Sequence, residues 1–226
     1  VGVAPPIAAL YEGLDAKIVA GVQTQGSAIV IRPELADEYK REGPVSLKNK
    51  SIATFPPGSI QHTILSKWLL DNGIDPEGEV DLKAMGPSEA TTAIGCKAVH
   101  AVFLPSPSPT IIEVDGNGVI VEWSGSIWPN HACCCVVASG EMIREQPYML
   151  EQIIKTHIRA TEYEIAHPEE AAEIYAKWEN ANGSTIKHSR DATDMQWIHD
   201  PHLEVESGIE YAKVIYELNR EIYEGK

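Results

Sequence analysis

SIATFPPGSIQHTILSKWLLDNGI, residues 51–74, reads as a strand, a tight turn and a capped helix. Residues 51–55 form a β-prone run, and Pro56, Pro57 and Gly58 make a loop poor in hydrogen-bond donors. Ser59 is placed to cap a helix whose apolar positions Ile60, Ile64, Leu65, Trp68 and Leu69 recur at helical spacing on one face. Asn72-Gly73 ends it in the manner of a left-handed C-terminal cap. A strand, a glycine turn and a helix start gather backbone N–H groups around one small space. The partial positive charge of the helix start adds to them, so the space suits a small anion, although most such corners hold only water.

Outward from this unit, strands and helices alternate. Before it come a short helix at residues 7–11 with Pro6 in its first turn, and strands at 17–22 and 27–32. A charged helical turn follows at 34–42. After it the pattern predicts a strand at 80–85 and a helix capped by Ser88 and stopped by Gly95. Further strands are predicted at 98–104, 119–123 and 132–139. The run from Pro105 to Pro109 is too rich in proline for regular structure. Beyond Arg144 only helices are expected. One carries an apolar stripe of Met149, Leu150, Ile153, Ile154, Ile158, Thr161 and Ile165. The next begins at Pro168, and a last one spans Glu204 to Tyr223. The pattern argues for α/β with mainly parallel sheet.

The 226 residues, 43% of them hydrophobic, suffice for one large domain or two small ones. Formal net charge is −15, from 33 acidic against 18 basic residues. Nucleic acid is thereby excluded as a partner, because phosphate contacts need clustered Lys and Arg. An anionic ligand has to be held locally, against the global field. No apolar window is long enough to span a membrane, and no signal peptide is visible. Cys133, Cys134 and Cys135 lack zinc-finger spacing and read as small apolar thiols, with Cys133 and Cys135 on one side of a strand.

Three stretches, in order, carry a family resemblance: GVAPPIAALYEGLDAKIVAGVQTQGSAIVIRPE, then SLKNKSIATFPPGSIQHTILSKWLLDNGID, then REQPYMLEQIIKTHIRATEYEIAHPEEAAEIYAKW. They resemble solute-binding proteins of ABC importers, in the nitrate, sulfonate and taurine branch that also includes thiamine-pyrimidine-type proteins. The resemblance implies a two-lobe type II periplasmic-binding-protein fold with the ligand between the lobes. One lobe combines residues 1–26 with 140–226, the other is 34–132, and crossing strands lie near 27–33 and 133–139. Family members carry two further strand–helix units before the position of Val1. The resemblance therefore implies an N-terminally truncated chain with an incomplete first lobe, open sheet edges and uncovered apolar helix faces.

By position, the resemblance places ligand contacts at Ala4, Pro5, Thr24 and Gln25 in one lobe. In the other it places them at Pro57, Gly58, Ser59, Gln61 and His62, in the Pro105 loop, and at Trp128 and His131. Trp128 reads either as stacking on an organic ligand or as packing, and His131 either as a cleft donor or as a surface histidine. The implied function is to bind a small anion, such as a sulfonate or nitrate, and deliver it to an ABC permease. The implied location is extracytoplasmic, periplasmic or on the cell surface, with membrane contact only through the transporter or a lipid anchor. The alternative is pyrimidine-precursor binding, or an enzyme like the thiamine-pyrimidine synthase of the same fold. Cys133, Cys134 and Cys135 match three members of that enzyme's iron-associated cysteine motif, but the fourth falls at Val137, which cannot ligate a metal. Its pyridoxal-phosphate lysine and its histidine fall near Val1 and Pro5, so no Schiff base can form there. The expectation is a non-catalytic protein with no cofactor and no metal.

Overall fold

The computed structural model describes residues 1–198 and 200–218. The elements run α1 (Ala4–Tyr11), β1 (Ala16–Thr24), β2 (Ser27–Ile31), α2 (Ala36–Glu42), β3 (Ser51–Thr54), α3 (Ile60–Asp71), β4 (Asp81–Ala84), α4 (Pro87–Gly95) and β5 (Ala101–Pro105). Then follow α5 (Ser108–Val114), β6 (Val119–Trp123), α6 (Ser124–Ile127), β7 (Ala132–Ser139), α7 (Gly140–Glu145) and α8 (Pro147–Ala166). The chain continues through α9 (Pro168–Trp178), α10 (Gly183–Ala192), β8 (Gln196–Trp197) and α11 (Val205–Leu218). No helix among the described residues is long and apolar enough to cross a membrane. The expected helix to Tyr223 is seen as far as Leu218, and its remainder, with Ile222, lies outside the described residues.

Two sheets form, one in the order β4-β3-β5-β2-β6 and the other β7-β1-β8. The expectation of mainly parallel sheet is corrected: β3 is parallel to β4 and β5, but β2 runs antiparallel to β5 and β6, and β1 antiparallel to β7 and β8. Helical crossovers α3 and α4 produce the parallel part. β2 arrives directly from the other sheet through Gln25 and Gly26 and enters against the grain. The chain returns to the smaller sheet through residues 124–131. β2 lies wholly in the larger sheet and β7 wholly in the smaller, so each passage falls just before the strand. Residues 1–3 line the other edge of β7, where the Val3 N–H donates to the Cys133 carbonyl at 2.9 Å.

β2 is buried on both faces, so it reads as an unbroken apolar run. Ile29 and Ile31 face a core shared with Ile52, Ile64, Leu65 and Trp68, whereas Val30 faces Ala53, Val102 and Leu104 on the opposite side. α3 forms as its sequence predicts. The Ser59 hydroxyl accepts the His62 N–H at 3.1 Å, and the five apolar positions are buried. The larger core also takes in Val3 and Ala4 from the chain start and Tyr211 and Ile215 from α11, so the two sheets share one apolar seam.

Two expectations are overturned by local chemistry. α4 is capped at Gly86, not Ser88, because Pro87 brings the helical φ and no N–H to the first position. The proline run does carry regular structure at its ends: β5 closes at Pro105, and α5 starts at Ser108 with Pro109 in its first turn, where amides have no intrahelical partner. The α8 stripe is partly uncovered, in keeping with the uncovered helix faces expected. Leu150 and Thr161 are buried, but Met149, Ile153 and Ile165 are exposed, as is Trp178 at the end of α9.

Candidate functional site

The corner before α3 opens to solvent. Pro57 and Gly58 are exposed, Ser59 and His62 half-buried. The turn requires φ +86° at Gly58, a left-handed conformation that glycine adopts freely, and it closes when the Ser59 N–H donates to the Pro56 carbonyl at 3.1 Å. The first N–H groups of an α-helix have no intrahelical acceptor, and here Ser59 satisfies that of His62. Burial pushes the His62 imidazole below its usual range, against a weaker upward pull from Glu77, so it stands neutral at pH 7. The chain start abuts this corner. A Cβ placed on Gly2 would lie 2.8 Å from Ile60 Cδ1. Pro5 is exposed there and Ala4 is buried.

Gln61 turns inward, 7% exposed, and its amide donates to Ser27 Oγ at 3.2 Å. This ties α3 to the point where the chain passes between the sheets. The Ser27 N–H in turn donates to Ser124 Oγ at 3.1 Å. Gln25 is equally committed: its N–H donates to the His131 carbonyl at 3.0 Å, its Oε1 accepts the Asn130 N–H at 2.9 Å, and its Nε2 donates to the Asp194 carbonyl at 2.6 Å. Thr24 is buried in β1, opposite Ala132 and Gln196.

Asp194 joins the two passages. One carboxylate oxygen accepts the Gly26 N–H at 2.8 Å and the other the Gly125 N–H at 2.6 Å. At Gly125 a Cβ would come within 2.6 Å of that second oxygen, so only glycine admits the carboxylate. No sequence signal singled out Asp194, which sits in an irregular segment remote along the chain from its partners. Charge-assisted bonds of this kind are about twice as strong as neutral ones. Asp194→Asn leaves one passage amide facing an NH2 group and is expected to cost about 2 kcal/mol in urea unfolding. Loss of protection at the Gly26 and Gly125 amides in hydrogen exchange is the accompanying local sign; unchanged protection there would contradict the link.

Trp128 and His131 face α11 rather than open space. Tyr211, fully buried, stacks on Trp128 with ring centroids 4.6 Å apart, and its hydroxyl lies 3.1 Å from His131 Nδ1. Trp128 Nε1 donates to Glu210 at 3.2 Å, and the Ala132 N–H donates to Ser207 Oγ at 2.7 Å. His131 has no exposed surface, and burial lowers its basicity, partly opposed by the Ala132 carbonyl and Asp194. The structure thus brings together Pro57, Gly58, Ser59 and His62 at an open corner, with Pro5 exposed in the neighbouring chain start. Trp128 and His131 pack against α11, Ala4 lies in the same core, Gln61 turns toward Ser27, and Thr24 and Gln25 sit where β1 passes to β2.

Cys133 and Cys135 point inward from β7, with Cys134 half-buried between them. Cys133 and Cys134 Sγ are 3.8 Å apart, and Gln23 Nε2 lies 3.7 Å from the first. Hydrogen bonding by Cys133 brings the Cys134 thiol down to about 7, against its burial. Among the described residues no group of three His, Cys, Asp or Glu side chains is arranged to hold a metal, and the cysteines are free thiols.

The model of the NMT1-like family matches residues 1–179. No curated protein sequence matches the chain. Among solved structures, the ligand-binding component of an ABC-type import system from Staphylococcus aureus, with zinc bound, superposes with a TM-score of 0.79 at 15% identity, over 97% of this chain and 72% of that one. The periplasmic aliphatic sulphonate-binding protein SsuA from Escherichia coli gives 0.74 at 18% identity, over 99% and 75%. The periplasmic nitrate-binding protein NrtA from Synechocystis PCC 6803 gives 0.69 at 13%, over 97% and 71%. At such identities the likeness establishes a shared fold.

Proposed function

Starting from the fact that this chain belongs to the NMT1-like family, we propose that it is a non-catalytic binding protein that delivers a small anionic solute to the permease of an ABC importer. It works outside the cytoplasm, and two lobes, residues 1–26 with 140–226 and residues 34–132, meet around the solute. The observation that supports the reading is the solvent-open start of α3, where helix N–H groups without intrahelical acceptors, the Gly58 turn and a neutral His62 lie together. Names of proteins sharing the fold support the solute class: one binds aliphatic sulphonates and one nitrate. Two hydroxyls at the seam are engaged in structural hydrogen bonds. The Ser59 hydroxyl is taken by the helix cap, and the Ser27 hydroxyl accepts from Gln61.

A thermal-shift screen with alkanesulfonates, taurine, nitrate and pyrimidine phosphates tests this directly. A ligand present at a hundred times its Kd stabilises the folded state by about 2.7 kcal/mol. A rise with the sulfonates or nitrate supports the reading. A rise confined to pyrimidine phosphates moves the assignment to a pyrimidine precursor, and no rise with any of them removes it.

A further inference from the structure

Away from that seam, α8, α9 and α10 each turn one face toward a cavity of about 680 Å³. Its size falls within the range of small-molecule sites. Four aromatic rings line it: Tyr163 from α8, Tyr175 and Trp178 from α9, and Trp197 from β8. Tyr163, Tyr175 and Trp178 are exposed, so their faces stand in water at the cavity rather than in the core. Aromatic surface gathered in this way on one side of a chain marks a binding site more often than a bare surface.

The polar groups of the wall are already engaged or withdrawn. Ser106 Oγ and Thr193 Oγ1 lie 2.8 Å apart. The Arg190 guanidinium donates to Glu169 at 2.7 Å and to Asp191 at 2.6 Å, and its Nη1, which has no partner, is buried and presents no surface to an incoming molecule. Glu164 is the other charged residue of the lining, and burial shifts its carboxyl toward the neutral form. One residue of each sign, the first matched by two carboxylates and the second drawn toward neutrality, leaves the wall without a preference for either charge. A charged ligand would lose its water here and meet no opposite charge. A flat uncharged ring exchanges water for aromatic faces.

We propose that this cavity binds an uncharged aromatic molecule, held by ring contacts with Tyr163, Tyr175, Trp178 and Trp197. The site is separate from the seam and does not select for an anion, so either assignment can fail without the other.

The test is calorimetric titration with 2-naphthol, which is uncharged at pH 7. Saturable binding is expected, weakened about fivefold by Trp178→Ala, the worth of one aromatic contact. Ala171→Trp, which fills the space from the α9 wall, should abolish it. Trp178 is exposed and Ala171 half-buried, and melting temperatures equal to the parent's check that the variants fold. The saturated counterpart, decahydro-2-naphthol, should bind about fivefold more weakly for want of ring contacts. Phenyltrimethylammonium and benzenesulfonate should leave the naphthol affinity unchanged, even where benzenesulfonate binds at the seam. Displacement of naphthol by either ion, equal binding of the saturated counterpart, no saturable binding, or an unchanged affinity in either variant overturns the proposal. So does a dimer in light scattering that Trp178→Ala dissociates, because the cavity rim would then be a contact between copies.

Discussion

Glu204→Gln is expected to leave stability unchanged near pH 5 and to raise it by about 3 kcal/mol at pH 8.5. Glu204 is 6% exposed, and neither carboxylate oxygen has a hydrogen-bond partner among the described residues. Burial, with the nearby Cys134 adding to it, pushes its carboxyl up to about 8, and the Val22 backbone amide opposes this from beyond hydrogen-bonding geometry. The unfolded carboxyl titrates near 4.5. Between those values the folded chain holds a proton that the unfolded chain has lost. Stability is therefore greatest below 4.5, falls as pH rises toward 8, and levels off above it. The full span corresponds to about 5 kcal/mol, and partial access of solvent reduces it to about 3. Urea unfolding of both proteins at pH 5, 7 and 8.5 measures it. Parallel pH profiles would show that Glu204 is charged and solvated in the fold.

Tyr211→Ala is expected to cost about 4 kcal/mol, the usual loss on truncating a buried aromatic side chain. The ring stacks on Trp128 and belongs to the core that joins α11 to Val3, Ala4 and Ile60. Tyr211→Phe keeps that packing and loses only the contact with His131 Nδ1, so it should cost about 1 kcal/mol. The Trp128 fluorescence should shift to the red in the alanine variant, as α11 loosens from the seam. A cost under 1 kcal/mol for Tyr211→Ala would mean that α11 is not held there by its ring.

What the sequence made legible was local. Ser59, the apolar spacing of α3 and Asn72-Gly73 carry their own capping and burial chemistry, and the strands at 119–123 and 132–139 needed only neighbouring residues to define them. The same logic misread the start of α5, because prolines that break a helix interior are tolerated in a first turn. Long-range features left no such trace. Asp194 binds two passages from a segment without periodicity, and Tyr211 looks like any residue on an apolar helix face until Trp128 is beneath it. Periodicity also gives the face of α8 but not its partner: Met149, Ile153 and Ile165 are on the stripe and in solvent. The residues expected to meet a ligand differ in burial, which position along the chain does not reveal: Pro5, Pro57 and Gly58 are exposed, whereas Ala4, Thr24, Gln25, Gln61 and His131 are buried.

The most direct measurement is the ligand-induced melting shift compared between the parent and Gly58→Trp. In the parent, Gly58 holds a positive φ with nothing within 4 Å of an added Cβ, so the turn lies open where the solute is placed. A shift of several degrees with an alkanesulfonate or nitrate in the parent, abolished in Gly58→Trp while the variant still melts cooperatively, is the result expected here. An undiminished shift in that variant would place the solute elsewhere and contradict the account.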